Sequence, residues 1–143
     1  MSDSYKNGAI RVKSGGQLVR ILNDITAEIL DDASNALTES MDEAALWATN
    51  ELRATSMSHG WKHYYKGWTY ERRGKRGNSV TVFNKSHYQL THLLEKGHRI
   101  IRHDGTDTGK RTAAEPHIAP VNDKVPDMVD ECFTTYIEGR LYK

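Results

Sequence analysis

The feature that most constrains this chain is a run over residues 17–59 that contains neither glycine nor proline. Apolar residues recur along its first part at helical spacing, at Leu18, Leu22, Ile25 and Ile29. A second stripe, shifted by one position near Ala33, continues at Leu37, Met41, Ala44, Ala48 and Leu52. The spacing predicts one amphipathic helix, or two helices nearly in line.

A continuous helix over residues 18–54 would be roughly 55 Å long at ~1.5 Å per residue. That length exceeds the diameter of a small domain, so we expect part of the helix to pack on a neighbouring chain or to break. The segment 31–35, Asp-Asp-Ala-Ser-Asn, has the weakest helix propensity and is the expected break.

The whole chain has 143 residues, which fits one domain with a modest core. We predict a flexible N-terminal arm over residues 1–16, with a weak strand at 9–13, and a single α+β domain over residues 17–143. The mean hydropathy of −0.71 and the lack of a long apolar run argue against a membrane span. The N-terminus has no apolar segment typical of a secretory signal.

The second half of the chain reads as a succession of short elements. Alternating residues over 64–72 and 79–84 predict a β-hairpin within a small antiparallel sheet. A short helix over 87–96 follows, and Gly97 ends it. Residues 102–112 contain no apolar side chain and predict a mobile loop. A C-terminal helix, packed on the sheet, is expected to begin near residue 122 or 123, with Pro126 in its first turns.

Charge is divided along the chain although the net charge is only +1. Residues 17–59 carry eight acids against two bases, a balance of −6, and residues 60–111 carry twelve bases against four acids, a balance of +8. This division would allow complementary head-to-tail contacts between copies of the chain. A basic face toward nucleic acid, or two ordinary solvated faces, would also account for it.

Enzyme motifs are missing from the sequence. His59 and His63 are the one histidine pair at i,i+4 spacing, but Gly60 separates them, and no HExxH, CxxC, GxSxG or Walker pattern is present. Cys132 falls in the apolar stripe of the C-terminal helix, which favours a packed thiol over a nucleophile. Glu95 and Glu115 are single acids, and a small hydrolase using Glu95 or His98 is the weakest hypothesis. We expect no enzyme activity, cofactor or metal.

The turn of the hairpin is strongly basic. Four cations lie in or beside it, at Arg72, Arg73, Lys75 and Arg76. Together with nearby aromatic residues they predict a contact with DNA phosphates or with a partner. A basic-hairpin nucleic-acid-binding protein is therefore the alternative hypothesis for this chain.

Several stretches carry a family resemblance over residues 18–140, nearly the whole chain. They are Lys66-Gly67-Trp68, the run 80–85 (VTVFNK), the run 88–98 (YQLTHLLEKGH) and the run 116–120 (PHIAP). With the early long helix, this order resembles the small neck proteins of long-tailed double-stranded-DNA bacteriophages. These are also called head–tail joining, tail-completion or minor tail proteins. LLEKGH followed about twenty residues later by PHIAP is the most specific part.

The resemblance implies a non-enzymatic virion protein that forms a ring, sixfold by family analogy, at the head–tail junction. Its partners would be other copies of itself, head-closure or adaptor proteins, and a tail terminator or tube protein. DNA would pass through the channel without sequence-specific contact. Assembly would take place in the cytoplasm of the host bacterium, with no membrane involved.

The polar stretch 98–116 is then expected to become ordered on a partner. The residues predicted to make that contact are His98, Arg99, Arg102, His103, Lys110 and Arg111.

Overall fold

The computed structural model describes residues 13–61, 63–75 and 79–141. It has an α+β fold, which confirms the predicted class. The elements are α1 (Gly15–Ser58), β1 (Trp68–Arg73), β2 (Ser79–Asn84), α2 (Tyr88–Lys96), β3 (Arg99–Ile101), β4 (Asp107–Arg111), α3 (Ile118–Asn122) and α4 (Val125–Leu141). The strands form two separate antiparallel hairpins, β1–β2 and β3–β4. None of the described helices has an apolar stretch long enough to cross a membrane.

Helix α1 is continuous through residues 31–35, so the structure has the first of the two predicted alternatives, a single unbroken helix. Its first turn is capped by Ser14, whose hydroxyl accepts the backbone N–H of Gln17 at 3.2 Å. Within the weak segment, the Asn35 amide donates to the Asp31 carboxylate at 3.3 Å, and Arg140 of α4 pairs with Asp32. These contacts support a segment of low intrinsic propensity. The helix is about 65 Å long at ~1.5 Å per residue.

The buried side of α1 consists mostly of small residues spaced four apart. They are Ala36, Ser40, Ala44, Ala48, Leu52 and Ser56. The buried hydroxyls of Ser40 and Ser56 each donate to the carbonyl four residues earlier, both at 2.6 Å, so neither is left without a partner. Small side chains let neighbouring elements approach α1 closely.

Helix α4 occupies one of these close positions. It runs antiparallel to α1, because Tyr136 lies opposite Glu39 and Arg140 lies opposite Asp32. The prediction that the C-terminal helix packs on the sheet is therefore wrong: its main partner is α1. The helix begins at Val125, slightly later than predicted, after the separate short helix α3. Pro126 lies in the first turn, where its missing N–H is not needed.

The β1–β2 hairpin is confirmed, with register from Trp68↔Asn84 to Arg73↔Ser79. Strand β1 begins four residues later than predicted because residues 65–67 form a 3-10 turn. Trp68 is 2% exposed, and its indole N–H donates to the Ser56 hydroxyl at 3.1 Å. Arg53 also donates to the Trp68 carbonyl, at 2.6 Å. The hairpin is thus fixed on α1, around a core of Ala48, Leu52, Tyr64, Trp68 and Val121.

The stretch predicted as a mobile loop is instead largely a second hairpin, β3–β4, with a bulge between its two recorded pairs. Its turn and the first residues of β4 are held by polar groups. The Asp104 carboxylate accepts the backbone N–H of Thr106 at 2.9 Å, Asp107 accepts that of Gly109 at 2.9 Å, and Gly105 adopts φ +84°. The prediction failed because these bonds, not apolar alternation, define the strands.

Candidate functional site

LLEKGH and PHIAP, the two stretches most specific to the family resemblance, meet in space at the end of α2 and the start of α3. The Glu95 carboxylate accepts three backbone N–H groups: His117 at 2.9 Å, Ile118 at 3.0 Å and Ala119 at 2.9 Å. No side chain of α3's own residues caps its N-terminus, so Glu95 supplies the missing acceptors. The negative charge also lies at the favourable end of the helix dipole.

His117 continues the network into the core and is 1% exposed. Its Nδ1 lies 3.0 Å from the Glu115 carbonyl oxygen and 3.1 Å from Glu95 Oε2, and its Nε2 lies 2.9 Å from the Tyr64 hydroxyl. Because both oxygens facing Nδ1 only accept, Nδ1 carries a proton. In the neutral ring, Nε2 therefore accepts the Tyr64 O–H. Tyr64, Glu95 and His117 are called the joint below.

Aromatic rings enclose the joint. Trp61 meets the His117 ring edge-on at a centroid distance of 5.1 Å, and Trp68 lies at 6.0 Å. Burial, followed by the charge of Glu95, raises the pKa of Tyr64 well above its usual range, which keeps the hydroxyl protonated as a donor. Burial alone would also raise the pKa of Glu95. The three N–H bonds and the adjacent His117 outweigh that effect and lower it.

The joint has the residue types of an acid–base relay, but its polar atoms already have hydrogen-bond partners within the protein. Both ring nitrogens of His117 have internal partners, and the ring is closed to solvent. The joint connects α2 and α3 with Tyr64, which directly precedes the 3-10 turn at residues 65–67. Leu94 adds a backbone bond to this connection, since its carbonyl accepts the Glu115 N–H at 2.8 Å.

Gly97 forms the tight corner beside the joint, as the predicted end of α2. It adopts φ +68° and ψ 161°, and a Cβ placed there would lie 2.5 Å from the Thr112 carbonyl oxygen. Both the backbone conformation and the close approach require glycine. Gly97 therefore sets the direction in which the second hairpin leaves α2.

The predicted basic cluster is divided in the structure. Arg72 pairs with Asp42 of α1 at 2.6 Å and donates to the Thr38 carbonyl at 3.1 Å. Arg73 pairs with Glu71 and lies over the Phe83 ring at 5.4 Å. Lys75 is exposed, and Arg76 lies outside the described residues. Two of the four cations thus have protein partners within one chain.

The predicted partner-contact residues lie on or beside the β3–β4 hairpin. His98 Nδ1 is 3.1 Å from the Thr112 hydroxyl, Arg99 pairs with Asp107 at 3.3 Å, and Arg111 donates to the Gly97 carbonyl at 3.4 Å. The remaining three, Arg102, His103 and Lys110, are exposed. The set therefore marks one protruding element, and its contact with a partner stays a prediction.

The other chemically active side chains are scattered. Within the described residues, no three histidine, cysteine, aspartate or glutamate side chains are grouped so as to hold a metal ion. His59 stacks on Trp61 and lies 3.6 Å from Glu115. Cys132 is half-buried, and burial, with a smaller effect from Glu43, raises the pKa of its thiol. A raised pKa leaves less thiolate at neutral pH.

Sequence reasoning missed the joint. In the sequence alone, Glu95 stands out only as a possible acid or base, and His117 only as part of the PHIAP motif. One signal was available: α3 follows Pro116-His117, which includes none of the usual capping residues Ser, Thr, Asp or Asn. A helix without a cap of its own needs an acceptor from elsewhere, and the acid before Gly97 provides it.

The lowered pKa of Glu95 makes a pH-dependent prediction. Its contribution to stability is present above the ordinary pKa of 4.5 and is lost as the pH falls through the lower folded value. The wild type should therefore exceed Glu95→Gln in free energy of unfolding at pH 7, and this gap should narrow below pH 4.5. Urea titrations between pH 3 and pH 7 measure it. A gap that is independent of pH would contradict the assignment.

Comparison of the chain with protein-family models, with curated proteins and with solved structures finds no significant match.

Proposed function

We propose that this chain is a non-enzymatic structural protein of a bacteriophage particle, which forms a ring at the head–tail junction. The class comes from the resemblance carried by Lys66-Gly67-Trp68 and the runs 80–85, 88–98 and 116–120. Such a ring would complete the neck so that heads and tails join and DNA can pass.

The observation that carries the assembly part of the proposal is the reach of α1. The last described pairing between α4 and α1 is Arg140 with Asp32, so residues 15–31 extend beyond α4. This overhang is about 25 Å long at ~1.5 Å per residue. It keeps several large apolar side chains exposed, as expected of a helix completed by a neighbouring copy.

The joint supports a structural rather than a catalytic role. The two stretches most specific to the resemblance, LLEKGH and PHIAP, meet at Glu95, which caps α3. Their residue identities are explained by folding, through the carboxylate that accepts three backbone N–H groups, the buried imidazole and the glycine corner. No reaction is needed to account for them.

The nucleic-acid hypothesis has less support. Arg72 and Arg73 pair with acids of the same chain, which reduces the charge that the first hairpin offers to phosphate. Non-specific contact with DNA in a channel requires less positive charge than a dedicated binding site does. Such contact therefore stays compatible with the proposal.

The proposal is tested by removing the gene from the phage that encodes it. We expect infected cells to accumulate filled heads and separate tails, seen by electron microscopy, with infectivity lost. A plasmid-borne copy should restore joining, and the Glu115→Ala variant, altered only in an exposed ion pair, should restore it equally well. Particles that still join and infect without the protein would overturn the proposal.

A further inference from the structure

Strand β2 has an open edge. The Lys85 N–H donates to the Gly67 carbonyl at 2.8 Å, and this bond fixes the alternation of the β1–β2 ladder. By that alternation, the N–H and C=O groups of Val80 and Val82 point away from β1. Within the described part of the chain, none of these outward groups has a hydrogen-bond partner. An edge of this kind is a template for one more strand.

An apolar groove of about 410 Å³ lies beside this edge. It is lined by β2, by the helices α1, α2 and α3, and by the first residue of α4. Its apolar lining includes Ala48, Leu52, Val82, Ile118, Val121 and Val125. The open edge and the groove together form a site for an extended segment, which would offer main-chain groups to β2 and apolar side chains to the groove. This site is called the β2 groove.

One face of the first hairpin is turned toward α1. Val82 packs against the core cluster, and Arg72, which lies opposite Val80, pairs with Asp42 of α1. Val80 and Val82 therefore share the face toward α1, and Thr81 lies on the other face. A strand added to β2 must place apolar side chains toward α1 at every second position and polar ones between them.

Residues 9–13, Ala-Ile-Arg-Val-Lys, have this pattern. Ile10 and Val12 would lie on one face of a strand, and both are β-branched residues that strands favour. Arg11 and Lys13 would lie on the other face. Residues 9–12 lie outside the described residues, just before the Ser14 cap of α1. Residues 9–13 are called the N-terminal segment.

The N-terminal segment cannot reach the β2 groove of its own copy. Ile10 precedes Gly15 by five residues, so it lies within about 18 Å of the start of α1. Val80 lies opposite Arg72, which contacts Asp42, and Asp42 is roughly 40 Å from Gly15 at ~1.5 Å per residue. The overhang of residues 15–31 thus carries the N-terminal segment away from its own groove. Any contact between the two must join different copies.

We propose that the N-terminal segment of one copy adds as a third strand to the β2 edge of the next copy. Its main chain would pair with the outward groups of Val80 and Val82, and Ile10 and Val12 would enter the β2 groove. Arg11 would stay in solvent. The contact is head-to-tail, and such contacts generate a ring when the rotation closes. The inference rests on the proposed function, and it specifies the contact that builds the ring.

The first test is crosslinking between copies of the full chain that carry single cysteines. In a Cys132→Ala background, Arg11→Cys is mixed with Thr81→Cys and treated with a short bismaleimide, because both positions lie on the solvent face of the proposed sheet. The control partner for Arg11→Cys is Thr55→Cys, since Thr55 is also half-buried but does not line the groove. We expect the Arg11–Thr81 product to form about tenfold faster, because docking raises the local concentration of the two thiols.

Two further variants of the Arg11→Cys chain test the alternation. Ile10→Ser should slow the crosslink to Thr81→Cys to the rate of the Thr55→Cys control, because it removes an apolar side chain from the groove. Ala9→Ser, on the opposite face of the segment, should leave the rate unchanged. Equal rates for the Thr81 and Thr55 partners, or equal effects of Ile10→Ser and Ala9→Ser, would overturn the strand addition.

Hydrogen exchange needs no cysteine in β2 and so remains decisive where Thr81→Cys impairs folding. We expect the Val80 and Val82 N–H groups to exchange about tenfold more slowly in the assembled wild type than in Ile10→Ser. The N–H groups of Thr81 and Phe83 face β1 and should exchange alike in both. Equal exchange at Val80 and Val82 in the two proteins would overturn the proposal.

Native mass spectrometry of the wild-type chain separates this failure from that of the proposed function. Rings in which Val80 and Val82 gain no protection would reject this contact and leave the ring in place. A preferred Arg11–Thr81 crosslink, together with particles that join heads to tails without the protein, would keep the contact and reject the role at the neck.

Discussion

Gly97→Ala is expected to lower the free energy of unfolding by about 3–4 kcal/mol. At φ +68° and ψ 161°, Gly97 occupies a backbone region that is essentially restricted to glycine. An added Cβ would also lie 2.5 Å from the Thr112 carbonyl oxygen, a backbone atom that cannot rotate away. Strain and overlap therefore act together at the corner between α2 and β3. Urea unfolding followed by tryptophan fluorescence, to which the buried Trp68 contributes, measures the loss.

Gly109→Ala separates the two effects. Gly109 has nearly the same φ, +69°, but a Cβ there would meet no atom within 4 Å. It should cost about 1–2 kcal/mol, the ordinary penalty of a left-handed conformation. A Gly97→Ala loss no greater than the Gly109→Ala loss would mean that the close approach to Thr112 is not maintained.

The sequence predicted those elements whose signals are local. The alternation over 79–84 gave β2 with its observed bounds, and Gly97 marked the end of α2. Pro126 similarly placed the start of α4 to within a few residues. In each case one residue type restricts the backbone directly, so no information about the rest of the fold was needed.

The features that could not be predicted depend on distant partners. The 31–35 segment is a weak helix former, and Arg140, more than a hundred residues later, pairs with Asp32 within it. The second hairpin has no apolar alternation and depends on carboxylates that accept N–H groups of its turn and of β4. At the joint, Glu95 and His117 come together only because the last turn of α2 lies at the N-terminus of α3. Local pattern does not report such pairings.

Glu95→Ala is expected to cost about 3 kcal/mol at neutral pH, because it leaves three backbone donors without their acceptor. The His117 N–H belongs to a fully buried residue, so water does not readily replace the lost carboxylate there. The start of α3 should loosen first, and Val121 would lose its fixed position in the core. Thermal and urea unfolding measure the total, and hydrogen exchange at Ile118 and Ala119 locates it.

Two variants define the mechanism. Glu115→Ala removes the same residue type nearby, but its side chain is 44% exposed in a pair with His59, so a loss under about 1 kcal/mol is expected. Glu95→Gln retains one carbonyl oxygen, while its amide nitrogen must replace an acceptor oxygen. Its loss of unfolding free energy should therefore fall between the losses for Glu95→Ala and Glu115→Ala. The free energy of unfolding should increase from Glu95→Ala through Glu95→Gln to the wild type. This order follows only if Glu95 acts as an acceptor for the N–H groups at the start of α3. Equal losses for Glu95→Ala and Glu115→Ala would show that the three N–H bonds contribute no more than a surface ion pair.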